Sequence, residues 1–90
     1  MELPGNTHLI EIIFNYKGIL IEAEIRPGKD CYGSFYVVDL NGNYAYTLHC
    51  DAGIWIAVNK NDGSLTQIDN DFLQILTRQL SWEINRLSLV

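Results

Sequence analysis

Ile10-Glu11-Ile12-Ile13-Phe14-Asn15-Tyr16-Lys17-Gly18-Ile19-Leu20-Ile21-Glu22-Ala23-Glu24-Ile25 is the stretch whose reading decides the fold. Ile10, Ile12, Phe14 and Tyr16 recur at every second position. Ile19, Ile21, Ala23 and Ile25 do the same, with Glu22, Glu24 and Arg26 between and after them. Period-two alternation marks half-buried strands, so a first strand is expected over 8–16 and a second over 19–26. Lys17-Gly18 between them is short and carries a glycine where positive φ is needed. A two-residue loop there sets Tyr16 opposite Ile19, Phe14 opposite Ile21, Ile12 opposite Ala23 and Ile10 opposite Ile25. A three-residue loop sets Ile12 opposite Glu22 instead. A one-residue slip moves every side chain to the other face, so the pattern selects an even-numbered loop.

Outward from this hairpin, Pro27-Gly28-Lys29-Asp30 reads as a break in the sheet. Residues 32–40 form a third strand. Asn41-Gly42 is the strongest hairpin signal in the chain, and Tyr44 to Cys50 return as a fourth strand. Asp51-Ala52-Gly53 turns the chain into a fifth, Ile54 to Asn59. After the polar turn Asn59-Lys60-Asn61-Asp62-Gly63, Ser64 to Ile68 add a short sixth strand. The period then changes. Asp69, Asn70 or Asp71 caps a helix on which Leu73, Leu76, Leu80, Ile84 and Leu87 share one stripe. The fold class is α+β: an antiparallel meander of five or six strands packed against one C-terminal amphipathic helix of about sixteen to eighteen residues.

Ninety residues make a single domain, 1–90. Six Lys and Arg against eleven Asp and Glu leave a formal charge of −5, which supplies no basic footprint for nucleic acid. At 48% hydrophobic the chain is too apolar for intrinsic disorder, yet no run is long enough to span a membrane. The start Met1-Glu2-Leu3-Pro4 has neither the basic nor the apolar region of a signal peptide, so a cytoplasmic location is expected. Cys31 and Cys50 are then expected to stay thiols.

Three apolar residues fall outside the helix stripe. Ile75, Trp82 and Leu89 lie seven apart, roughly opposite Leu73, Leu80 and Leu87, with Arg78 and Arg86 beside them. Such a second apolar face is covered by another part of the chain or offered to a partner. Trp and Arg are enriched at interface anchors. The expected partner surface is therefore Ile75, Arg78, Trp82, Arg86 and Leu89, facing a second copy or another protein. An open sheet edge is the other candidate contact.

Tyr32, Tyr36, Tyr44 and Tyr46 occupy even positions of the third and fourth strands. They share one face if Leu40-Asn41-Gly42 is a three-residue loop, and split if the loop is Asn41-Gly42 alone. Tyr36, Tyr44, Tyr46 and Trp55 are the candidate lining for a small apolar or aromatic ligand held between sheet and helix.

The chemistry-bearing residues are sparse. Cys31, His49, Cys50 and Asp51 are all possible zinc ligands by type, but their spacing matches no ligand motif, and His49 points away from Cys50 on a regular strand. The two-residue loop sets Gly33 opposite Cys50, and the three-residue loop sets Tyr32 there. Glu11 faces Glu24 if Lys17-Gly18 is the loop. A four-residue loop from Asn15 shifts Glu24 to face Leu9. No phosphate loop, nucleophile elbow or calcium loop is present, and no cofactor is expected. The leading functional expectation is a non-enzymatic, self-associating interaction module, and the alternative is the small-ligand binder. An enzyme using Cys50 or the Glu11–Glu24 pair is a third, weaker reading.

Overall fold

The computed structural model describes residues 9–31 and 33–88, with the backbone alone described for Asp30, Leu87 and Ser88. Five strands, β1 (Ile10–Tyr16), β2 (Ile19–Asp30), β3 (Gly33–Leu40), β4 (Asn43–Asp51) and β5 (Ile54–Val58), precede one helix, α1 (Asn70–Ser88). The strands pair in chain order as an antiparallel meander, β1-β2-β3-β4-β5. The expected α+β architecture is the observed one, with five strands and a helix of 19 residues.

The first hairpin adopts the register that places apolar residue against apolar residue: Ile10↔Ile25, Ile12↔Ala23, Phe14↔Ile21 and Tyr16↔Ile19. Its loop is Lys17-Gly18, with φ of 51° and 82°. Asn41-Gly42 (50°, 89°) and Ala52-Gly53 (52°, 84°) repeat the same two-residue turn. Positive φ at both central residues matches the right-handed twist of the flanking strands. Asn41 adds a clamp: its backbone N–H donates to the Glu22 carbonyl at 2.8 Å, and its Oδ1 accepts from the Glu22 N–H at 2.8 Å.

Pro27 and Gly28 do not break the sheet. β2 runs through them to Asp30, pairing Pro27↔Tyr36, Gly28↔Phe35, Lys29↔Ser34 and Asp30↔Gly33. The reason is parity. The Asn41 clamp shows that even-numbered β2 residues aim their backbone groups at β3. Odd-numbered Pro27 therefore directs its missing N–H the other way, past Ile25, where the pairing with β1 ends. Gly28 is needed for another reason: a Cβ there would come within 2.4 Å of the Phe35 ring, which lies across it.

The third hairpin departs from both expected registers. The loop is Asn41-Gly42, with Leu40↔Asn43 and Asp39↔Tyr44, but the next pair is Val38↔Tyr46. Ala45 is the extra residue of a β-bulge, and beyond it the register changes parity. Tyr36 then faces Leu48, and Phe35 faces His49. Continuing that register brings Ser34 level with Cys50, rather than Gly33 or Tyr32. Ser64–Ile68 do not form a sixth strand: a single bridge, Val58↔Leu65, and two backbone bonds, Asn59 N–H to Ser64 O (2.8 Å) and Thr66 N–H to Ala57 O (2.9 Å), fasten an irregular segment along β5.

The Asp69 carbonyl accepts from Leu73 N–H at 3.0 Å, which makes Asp69 the residue preceding the first helical turn. α1 covers one face of the sheet. The core joins Ile10, Ile12, Phe14, Ala23, Ile25, Val38, Tyr46, Leu48 and Ala57 to Leu76 and Leu80. Leu73 and Ile84 pack at its margin as the stripe requires, while the Leu87 side chain lies outside the described residues. The helix comes closest to β1, where Phe72 meets Phe14 and Tyr16 edge to face at 5.3 and 5.1 Å.

Ala52 is the costly position in this set of turns. An alanine at φ 52° lacks the local hydrogen bonding that lets asparagine tolerate left-handed backbone. Ala52→Asn is expected to raise the unfolding free energy by up to about 1 kcal/mol without changing the denaturant slope, measured by urea titration.

Candidate functional site

The sheet has two unlike faces because alternate side chains point to opposite sides. One face meets α1. The other carries Leu9, Glu11, Ile13 and Asn15 from the first strand region, Leu20, Glu22, Glu24 and Arg26 from β2, Phe35, Val37 and Asp39 from β3, Thr47 and His49 from β4, and Ile54, Ile56 and Val58 from β5. Leu9, Ile13, Leu20, Ile54 and Ile56 on this face are exposed. Over β3–β5 it dips into a shallow depression of about 330 Å³, floored by Phe35, Val37, Thr47 and Val58 and rimmed by His49 and Lys60. This depression is not among the sites expected from the sequence. The signal was present: Phe35-Tyr36-Val37-Val38 and Ile54-Trp55-Ile56-Ala57 are continuous apolar runs, which supply apolar residues to both faces at once.

The four aromatic residues expected to line a ligand site do not converge on one space. Tyr46 is in the core beneath α1, at 5% exposure. Tyr36 lies on the same face, half-buried, with its ring 5.7 Å from that of Trp55. The Ala45 bulge turns Tyr44 to the opposite face, where its hydroxyl meets Thr47 Oγ1 at 2.9 Å and accepts from the Lys60 N–H at 3.0 Å. The Lys60 ammonium stands 4.5 Å from the Tyr44 ring centre. Tyr44 thus pins the 59–63 turn to the sheet. Tyr32 lies outside the described residues.

Of the expected partner surface, Ile75 is half-buried against the core margin. It shares a groove with Asn15, Tyr16, Lys17, Asp71, Gln74 and Arg78, between the first hairpin and the start of α1. Two turns further on, Trp82 stands 62% exposed. The Arg86 guanidinium lies 5.7 Å from its ring centre and is paired with Glu83 in turn. Arg78, which lines that groove, is exposed. Leu89 lies outside the described residues. The helix thus carries an indole held by a cation, with Ile75 partly absorbed into the fold beside it.

Glu11 faces Glu24 directly, with Glu22 opposite Ile13 on the same side. Arg26 pairs with Asp39 at 3.3 Å at the end of this acidic patch. His49 and Cys50 point to opposite faces, His49 towards Phe35 (6.2 Å between ring centres) and Cys50 level with Trp55. Cys31 and Cys50 are exposed free thiols. Among the described residues no three His, Cys, Asp or Glu side chains gather closely enough to hold a metal ion. Among them, too, no helix is long and apolar enough to cross a membrane. The Asp62 carboxyl sits below its ordinary range because Ser64 donates both its backbone N–H (2.9 Å) and its hydroxyl (2.7 Å) to it, closing the turn.

Burial acts on two tyrosines. It raises the Tyr36 phenol, aided by the neighbouring Cys50 thiol and opposed by a hydrogen bond with Ser34. It pushes Tyr46 up to about 12. The Tyr46 hydroxyl also has no hydrogen-bond partner among the described residues.

Comparison with protein-family descriptions, curated proteins and solved structures found no match to this chain.

The Tyr46 shift fixes a pH dependence. The folded state holds the phenol neutral up to about 12, whereas the unfolded chain releases its proton near the ordinary 10.0. The stabilisation is complete below pH 10.0 and is lost as pH rises towards 12. Tyr46→Phe is expected to flatten this alkaline loss in denaturant titrations across the same pH range. At pH 7 it is expected to leave stability equal or higher, because it removes an unpaired buried hydroxyl.

Proposed function

We propose that this chain is a non-enzymatic protein-interaction module that self-associates, with the outer flank of α1 in its contact surface. The observation that carries the reading is Trp82: a large ring, 62% exposed, set beside Arg86 on a rigid helix. Burying an indole removes much apolar area from water, and a ring already oriented loses little side-chain freedom on binding. The exposed apolar residues of the uncovered sheet face and its edges support the same reading. The setting is a cytoplasmic one in which both thiols stay reduced. The negative net charge favours protein rather than nucleic acid as the partner.

A second reading, a binder of a small apolar or aromatic ligand, is favoured by the depression over β3–β5, with its apolar floor and its His49–Lys60 rim. Its place in this form is the uncovered face, because Leu48, Leu76 and Leu80 pack together between sheet and helix. Saturable backbone amide shifts confined to Phe35, Val37 and Val58 in a fragment titration are the expected signature of this reading.

Light scattering of wild type and Trp82→Ala tests the first reading. The expected result is a wild-type assembly whose mass falls on substitution, with the circular dichroism and melting curve preserved. A wild type that stays at monomer mass contradicts self-association.

A further inference from the structure

We propose that the chain dimerises by pairing β1 antiparallel with β1 of a second copy, about a two-fold axis at Ile13, into one continuous ten-stranded sheet. The inference rests on the self-association reading and names the surface and the register that produce it.

Among the described residues the edge is open, and its polarity is fixed. Tyr16 and Ile19 flank a two-residue turn, so they form a hydrogen-bonded pair, and the same type of pair recurs at Phe14↔Ile21, Ile12↔Ala23 and Ile10↔Ile25. The even-numbered residues of β1 thus spend their backbone groups on β2. Glu11, Ile13 and Asn15 aim theirs outward, and among the described residues no segment pairs with them. The other edge, β5, is different: the bonds from Asn59 to Ser64 and from Thr66 to Ala57 already cover part of it.

The sequence of β1 is complementary to itself in one register. Ile13 is its midpoint, so only a two-fold there overlaps Ile10–Tyr16 along its full length with its copy. Ile13 then meets Ile13, Glu11 meets Asn15, Ile12 meets Phe14, and Ile10 meets Tyr16. No like charges face each other, and the outward backbone groups of both strands meet in hydrogen-bonded pairs. Edge strands that stay single are usually guarded by charge, proline or a bulge at their centre. Here the centre is Ile13, an isoleucine 61% exposed.

The helix completes the contact. A two-fold perpendicular to the sheet keeps both helices on one face. α1 comes closest to β1, and Ile75 borders Asn15, Tyr16 and Lys17. Trp82 follows seven residues later on that flank. Pairing β1 with its copy sets the two Ile75–Trp82 flanks side by side above the new strand junction. This matters because strand pairing alone buries less than the roughly 800 Å² per partner of a stable interface.

Light scattering of the full chain, with two variants, tests the proposal. Wild type is expected at twice 10.3 kDa. Ile13→Lys, which sets two ammonium groups face to face at the axis, is expected to halve that mass with the monomer fold intact. Ile13→Cys, in a chain with Cys31→Ser and Cys50→Ser, is expected to cross-link to a covalent dimer under mild oxidation, which reads the register directly even if the lysine variant fails to fold. A monomeric wild type overturns this proposal together with the self-association reading. A dimer that Trp82→Ala splits, but that survives Ile13→Lys and gives no cross-link in the Ile13→Cys variant, keeps self-association and overturns strand pairing. An open-ended polymer, in which β1 adds to β5 of the next copy, overturns it as well.

Discussion

The register of β1 against β2 is the constraint on which the other parts depend. With Lys17-Gly18 as the whole loop, the even residues of β1 and the odd residues of β2 share one face, and every one of them that pairs across this hairpin is apolar. That face gives α1 a continuous floor, and Leu76 and Leu80 reach complete burial on it. The same parity sets the backbone: the even residues of β1 bond inward, so the odd residues bond outward or not at all. Core, helix position and free edge follow from one two-residue turn.

The Ala45 bulge is the second control. Without it, the alternation that puts Asn43 opposite Leu40 would send Tyr46 and Leu48 to the uncovered face. The extra residue restores them to the core and leaves Tyr44 behind on the other side. Tyr44 is then used locally, holding the 59–63 turn against β4 through Thr47 and Lys60. One inserted residue thus divides neighbouring tyrosines between a structural clamp on one face and the buried core on the other.

The first hairpin, the Asn41-Gly42 turn and the helix stripe were legible because each rests on a strong period or a turn with a defined φ requirement. The extent of β2 was not. Proline reads as a breaker, and only its parity relative to β3 shows that Pro27 removes no bond from the ladder. The bulge was hidden too, since alanine at position 45 carries no bulge signal, whereas Gly42 in the three-residue loop does. Of the candidate site, Trp82 and its arginine neighbour were legible from helical spacing. The second face of the sheet was not, because the continuous apolar runs of β3 and β5 carry no period that divides their residues between the two faces.

The order of the strands also shapes how the chain reaches its fold. Every strand pairs with its neighbour in sequence, so the meander assembles through short loops with little entropy lost at each closure. The contact of Phe72 with Phe14 and Tyr16 is of another kind, because it joins the start of the helix to the first strand across most of the chain. Until that contact forms, the apolar face of the sheet that α1 covers is bare. During synthesis α1 is also made after all five strands. The nascent meander must wait for it with Ile12, Ile25 and Leu48 in water, and the speed of helix docking sets how long the chain is open to misassembly.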